Sequence, residues 1–255
     1  MDAVINALHR LGAACGRVIA GPWVYAYVLA EVVLALAVSL LLRSSVALFA
    51  LDPLLFFPVF AVHLYRRRSA RLVALTSLWG IWKSLLFVGL IAMSGNGIDP
   101  LVSGAAAYHV DTLNWIVHNE GLIAHPEIFS WLHLEGLCRV TVSAVASSGL
   151  TTLVAGSREL NLMNFHVARL LGMARDVWPA LGLAWPVWSL LRGWAYLFVM
   201  MGTAPLFVCI LTRRRPAYRR LAPWFAAGVA LAALDLGLKV LLAPAWRRLI
   251  LSSLN

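Results

Sequence analysis

Residues 22–42 read "PWVYAYVLAEVVLALAVSLLL", an apolar run carrying a single charge, Glu31. A bilayer core of about 30 Å needs roughly 20 helical residues to cross it, and this run has that length. No proline or glycine interrupts it after Pro22. It reads as a transmembrane helix, and it sets the terms for the rest of the chain. Similar spans are expected at 45–64, 72–93 and 221–243. A weaker one, "LCRVTVSAVASSGLTTLVAG" at 137–156, is rich in the small residues that let membrane helices approach closely. Residues 177–212 are apolar for too long to be one simple span, and they contain Trp178-Pro179 and Trp185-Pro186.

Composition agrees. The 255 residues are 62% hydrophobic and 13% charged, with a mean hydropathy of +0.83. Soluble domains carry about 25% charged residues. The formal charge of +10 is nearly all arginine in short clusters, with no basic recognition helix. That pattern carries topology and excludes a nucleic-acid partner. Cys15, Cys138 and Cys209 are scattered and show no metal-ligand spacing. Most tryptophans fall near span ends, where indole rings anchor at the interface.

The fold class predicted is a polytopic α-helical transmembrane bundle of about six or seven membrane segments, forming one integral membrane domain over 1–255. Residues 1–21 place Val4, Ile5, Leu8, Leu11, Val18 and Ile19 on one helical face. An N-terminal helix lying at the membrane interface is therefore expected, not a cleavable leader. The arginine clusters "RRRSAR" (66–71) and "RRRPAYRR" (213–220) belong on the cytoplasmic side of a cell inner membrane. With a cytoplasmic N-terminus, 94–136 falls outside and 157–176 inside. Parity then requires either that 177–191 and 194–212 form a tight hairpin or re-entrant pair turning at Arg192-Gly193, or that 137–156 does not span. The prolines of 177–212 favour the hairpin.

Five ionisable residues fall within predicted spans: Glu31, Asp52, Lys83, Asp235 and Lys239. Placing a charge at the bilayer centre costs about 2.5–3.5 kcal/mol even on the lenient insertion scale. Each must face the interior and find a partner. Asp235 and Lys239 are one helical turn apart and are expected to pair.

The segment 94–136 has a different character. Each of four histidines is followed two residues later by an acid: His109 and Asp111, His118 and Glu120, His125 and Glu127, His133 and Glu135. A helix over 110–120 ends at Gly121, and another begins at Pro126. Residues two apart lie about 200° around a helix, so no doublet chelates as a doublet. Asp111, His118, His125 and Glu127 can converge instead, and such a set would hold one Zn, Cu or Fe ion. No HExxH or ExxH repeat accompanies them.

Residues 156–176 are expected to form a cytoplasmic amphipathic helix with Leu160, Met163, Val167 and Leu170 on its apolar face. Arg158 and His166 are eight positions apart, which excludes the SR-x5-H-x3-D motif of lipid phosphatases.

Together these features predict a transporter-type or complex-forming membrane component, with the buried charges lining a polar path through the bilayer. The alternatives are a membrane-embedded metal enzyme acting on a lipid or other hydrophobic substrate at the outer face, and an accessory subunit docking protein partners in a larger complex.

Overall fold

The computed structural model describes residues 18–94, 97–121 and 124–254, and these are all-helical. The helices are α1 (Val24–Leu42), α2 (Ser45–Tyr65), α3 (Ser69–Ser94), α4 (Ala105–His118), α5 (Pro126–Ser147), α6 (Leu150–Met173), α7 (Val177–Ala184), α8 (Val187–Leu211) and α9 (Tyr218–Leu254), with a short 3₁₀ turn at Asp99–Leu101. Five segments among the described residues are long and apolar enough to cross a membrane: α1, α2, α3, the stretch Val177–Leu211, and α9. The interfacial helix expected over 1–21 falls almost wholly outside the described residues.

Many large apolar side chains remain exposed, Leu41 at 83% and Leu241 at 74% among them. In water so much exposed apolar surface is a liability, whereas in a bilayer it faces solvent of its own kind.

The chain forms two compact units, divided within α3 between Lys83 and Ser84. In the first, α1 and α2 pack as a hairpin. Arg43 closes α1 in the left-handed region (φ 48°), and the Ser44 hydroxyl caps α2 by accepting from the Ala47 N–H at 3.2 Å. Val24, Val28, Val32 and Ala35 recur along α1 and are buried. Phe56, Val59 and Phe60 of α2 and Leu72, Leu75 and Trp79 of α3 are buried in the same unit. Arg68 donates to the Ala20 carbonyl at 3.0 Å, and Arg71 donates to the carbonyls of Ala20 and Gly21. The 66–71 cluster therefore lies at the same end of the unit as the start of α1.

In the second unit, α8 and α9 form the main hairpin. Glycines set their separation. A Cβ on Gly202 would lie 2.7 Å from the Phe225 nitrogen, and one on Gly228 would lie 2.7 Å from the Val199 nitrogen. Helices in lipid associate through such small-residue contacts. α5 packs on α8, and Gly136 makes room there for the Tyr196 hydroxyl. An apolar cluster of Trp115, Ile116, Leu170, Trp188, Trp246 and Ile250 ties α4, α6, α8 and α9 together.

Three expectations are corrected. Residues 137–156 are not one span: the helix ends at Ser147, Ser148 and Gly149 both adopt positive φ (57° and 94°), and α6 starts at Leu150. Two successive left-handed residues reverse the chain, and Gly149 does so without steric cost. Arg192-Gly193 is not a turn but lies inside α8; the break falls at Trp185-Pro186, where both residues are extended and Pro186 becomes the N-cap of α8. Finally, 156–176 is not an amphipathic surface helix. Asn161, Leu162, Asn164, Phe165, His166, Val167, Ala168 and Leu170 are all buried, leaving no wide polar face.

Candidate functional site

Each unit carries one cluster of buried ionisable groups. In the first, Asp52 projects from α2 immediately before Pro53. Trp79 and Lys83 lie one turn apart on α3, so both reach the same carboxylate. Trp79 donates from Nε1 to Oδ1 at 2.7 Å, and the Lys83 ammonium donates to Oδ2. Phe56, one turn beyond Asp52, stacks on Trp79 with ring centroids 5.0 Å apart. Lys83 and Asp52 are 1% and 3% exposed, and an ion pair so buried needs these further contacts to offset its desolvation.

Glu31 of α1 completes the cluster. It is 3% exposed, faces the Asp52 carboxyl within the field of Lys83, and neither of its oxygens meets an N–H or hydroxyl donor. Two carboxyls therefore share a site with one lysine. A buried carboxyl oxygen left without a partner costs several kcal/mol in an apolar surround.

The second cluster is centred on Asp235 of α9, which is fully buried. Arg192 of α8 addresses it as a fork, Nε to Oδ2 at 2.9 Å and Nη2 to Oδ1 at 3.3 Å, and the His133 Nε2 of α5 closes on Oδ2. The expected Asp235–Lys239 pair is not formed. Lys239 instead places its ammonium 3.1 Å from the centroid of the Phe129 ring and 5.0 Å from that of Trp115. Aromatic faces attract a cation most when it is desolvated, and Lys239 is 7% exposed. Beside it lies a cavity of about 180 Å³, lined by Trp115, Phe129, Lys239 and Arg247 among others.

The histidine-bearing segment divides. Asp111 and His118 are exposed on α4, and His125 caps α5 with Nδ1 3.7 Å from Glu127, both exposed. Among the described residues, no three His, Cys, Asp or Glu side chains converge as a metal-holding group. His109 finds a different partner: its Nδ1 lies 3.0 Å from Nδ1 of His166 on α6. Asp99 and Arg169 form an ion pair alongside. Burial lowers the pKa of both imidazoles, that of His166 to about 3, and for His109 the Arg169 charge acts in the same direction. With one ring donating and one accepting, the pair is neutral at physiological pH.

This contact joins two segments that the expected topology separates. Residues 94–136 and 157–176 touch through His109–His166 and Asp99–Arg169.

His133 and Arg192 are the functional-site residues that sequence reasoning missed. Arg192 was visible as a lone charge within 177–212, and the argument applied to Glu31 applies to it equally. His133 had no such mark, since it stood in a series of His-x-acid doublets. Compared with known protein families, curated proteins and solved structures, the chain matches none of them.

Proposed function

We propose that this chain is a transporter-type component of a cell inner membrane, in which Glu31 is the group that takes up and releases a proton or meets a cation. The observation that carries this reading is the Glu31 carboxyl, buried without an N–H or hydroxyl donor and facing an Asp52 already committed to Lys83 and Trp79. A purely structural acid would be satisfied like Asp52. One that must exchange a partner has to keep its oxygens available.

The revised topology fits the arginine clusters. With a cytoplasmic N-terminus, three spans leave residue 94 outside. If 94–176 stays there, the stretch 177–211 returns the chain to the cytoplasm at "RRRPAYRR". Residues 94–176 contain seven acids and four arginines, in keeping with an exterior location, while 66–71 and 213–220 hold four and five arginines.

The test is proton entry into proteoliposomes under an imposed membrane potential, read with a trapped pH-sensitive dye. Wild type is expected to admit protons and Glu31→Gln to be silent, while the surface control Glu127→Gln behaves as wild type. Indistinguishable traces from wild type and Glu31→Gln in folded, correctly inserted protein would defeat the reading and favour an accessory subunit.

A further inference from the structure

We propose that the cavity between α4, α5 and α9 binds an anionic headgroup, best matched by a phosphate monoester on an apolar body, held between Lys239 and Arg247. This deepens the transport reading by naming a cargo class, and it rests on that reading only for what becomes of the bound anion.

The argument begins with charge pairing in the second unit. Arg192 has Asp235, Arg169 has Asp99, Arg139 has Glu135 and Arg158 has Glu159. Lys239 and Arg247 form no ion pair among the described residues, and unlike the exposed arginines of 213–220 and Arg248 they are withdrawn from the surface, Lys239 buried and Arg247 half-buried. The acid nearest to Lys239 in sequence, Asp235, is fully engaged by Arg192 and His133. Lys239 is nevertheless more than nine-tenths buried, its ammonium set against the rings of Phe129 and Trp115. Aromatic faces lower the cost of holding that charge but leave its donors unused, and they open onto the cavity.

Geometry supplies the second cation. Lys239, Ala243 and Arg247 follow one another at four-residue spacing on one face of α9, and the small Ala243 leaves the space between the charges open. Arg247 is fixed in place, donating from Nε to the Ile116 carbonyl at 2.9 Å, while its terminal nitrogens remain available. Among the described residues no carboxylate lines the cavity, whose walls are the rings of Trp115 and Phe129 with Val240, Ala243 and Pro244. A doubly charged group satisfies a point-charge ammonium and a planar guanidinium together. Aromatic and aliphatic walls suit an apolar body behind that group. At about 180 Å³ the space is below the roughly 300–1,000 Å³ of drug-sized sites, and it fits a headgroup with its first carbons.

Depth places the site where such a ligand travels. Lys239 lies 20 residues beyond Arg219, about 30 Å along a helix, so it reaches the far interface if Arg219 stands at the cytoplasmic one. The same chemistry is available from an amphiphile in the outer leaflet or from free phosphate in solution.

The experiment is isothermal titration calorimetry on the full chain in phosphatidylcholine nanodiscs, with dodecyl phosphate, inorganic phosphate and the neutral dodecanol as probes. Saturable binding of dodecyl phosphate is expected, at least tenfold weaker in both Lys239→Gln and Arg247→Gln and absent for dodecanol. If inorganic phosphate binds as tightly, the anion comes from solution; if it binds far more weakly, from the membrane. Either supports the site. Because Lys239→Gln can perturb the core, the half-buried Arg247→Gln carries the decision where Lys239→Gln does not fold. Binding that is unchanged in a folded variant, equal uptake of dodecanol, or no anion binding at all would overturn the proposal. The proton-entry assay is separate: Glu31-dependent proton entry without Lys239-dependent binding defeats only this site, and binding without proton entry defeats only the transport reading.

Discussion

Lys239 lies one helical turn from Asp235 on α9 but turns its ammonium away, onto the face of Phe129 at 3.1 Å, while Asp235 accepts the guanidinium fork of Arg192. The two helical neighbours thus belong to different interactions, one closed and one open. Arginine is the better partner for a buried carboxylate, because its rigid fork satisfies both oxygens at once. The lysine is released to serve elsewhere.

That division predicts opposite stability effects from neighbouring substitutions. Asp235→Asn strands Arg192 and His133 and is expected to destabilise by about 3 kcal/mol, the lower end of the range for breaking a buried pair, because Arg192 is 30% exposed. Asp235→Leu combined with Arg192→Met should recover most of that loss. Lys239→Met removes a buried charge that forms no direct ion pair among the described residues, so it should leave the melting temperature unchanged or raise it. Thermal unfolding in detergent reads all three, and a Lys239→Met loss as large as that of Asp235→Asn would mean that Lys239 holds the fold together.

A second contrast lies within α9. A Cβ at Gly228 would stand 2.7 Å from the Val199 nitrogen and 2.8 Å from the Ala195 carbonyl oxygen, both backbone atoms, whereas one at Gly237 meets nothing within 4 Å. Gly228→Ala should force α8 and α9 apart and cost about 1–3 kcal/mol. Gly237→Ala should be neutral or stabilising by up to about 1 kcal/mol, from helix propensity alone. Melting temperatures of the two variants check the packing of this hairpin, and equal values would contradict it.

Much of this architecture was legible in sequence, for a physical reason: the bilayer imposes runs of roughly 20 apolar residues, and nothing else in a protein needs them. Glu31, Asp52 and Lys83 stood out because charge in such a run is costly. What could not be read was pairing. Asp52 and Lys83 are 31 positions apart, and only the packing of α2 on α3 brings them together. The turn was misplaced for a local reason. Gly193 after Arg192 resembles a hairpin tip, yet a glycine inside an apolar helix is tolerated; proline is no certain mark of a break either, since Pro53, Pro58, Pro205, Pro223 and Pro244 lie inside helices while Pro186 caps one. Ser148-Gly149 looks in sequence like two small residues of a span and is a chain reversal. The His-x-acid doublets carried no signal of their fate, since His133 turned inward to Asp235, His109 to His166, and His118 outward.

The His109–His166 pair makes α4 docking depend on pH. Both pKa values are below the ordinary 6.5 in the folded chain, so the folded state holds fewer protons than the opened one between about pH 3 and 6.5. A depressed folded pKa contributes stability above the opened-state value, and that stability is lost as pH falls through this window. With His166 at about 3, local opening of α4 from α6 at pH 5 should be roughly thirtyfold more frequent than at pH 7.5. Amide hydrogen exchange across residues 105–118, corrected for the intrinsic pH dependence, measures it. His166→Gln should flatten the profile, and a wild-type profile already flat from pH 7.5 to 5 would rule out the pair as its source.

The contact between α4 and α6 also makes a prediction about sides. In a background with Cys15, Cys138 and Cys209 replaced by serine, single cysteines at Glu120, Met173 and Arg214 report which phase each occupies. Met173 is 48% exposed and ends α6, so it accepts a label without disturbing the core. A membrane-impermeant maleimide applied to intact cells should label Glu120→Cys and Met173→Cys together, and Arg214→Cys only after lysis. Labelling of Glu120→Cys from outside with Met173→Cys reached only after lysis would place the two ends across the membrane. The His109–His166 and Asp99–Arg169 contacts could not then form, and the chain would have to cross within 137–156 as one continuous helix. Labelling of all three from outside would instead break the positive-inside assignment of "RRRPAYRR": 177–211 would then re-enter without crossing, and the fifth span would be inverted.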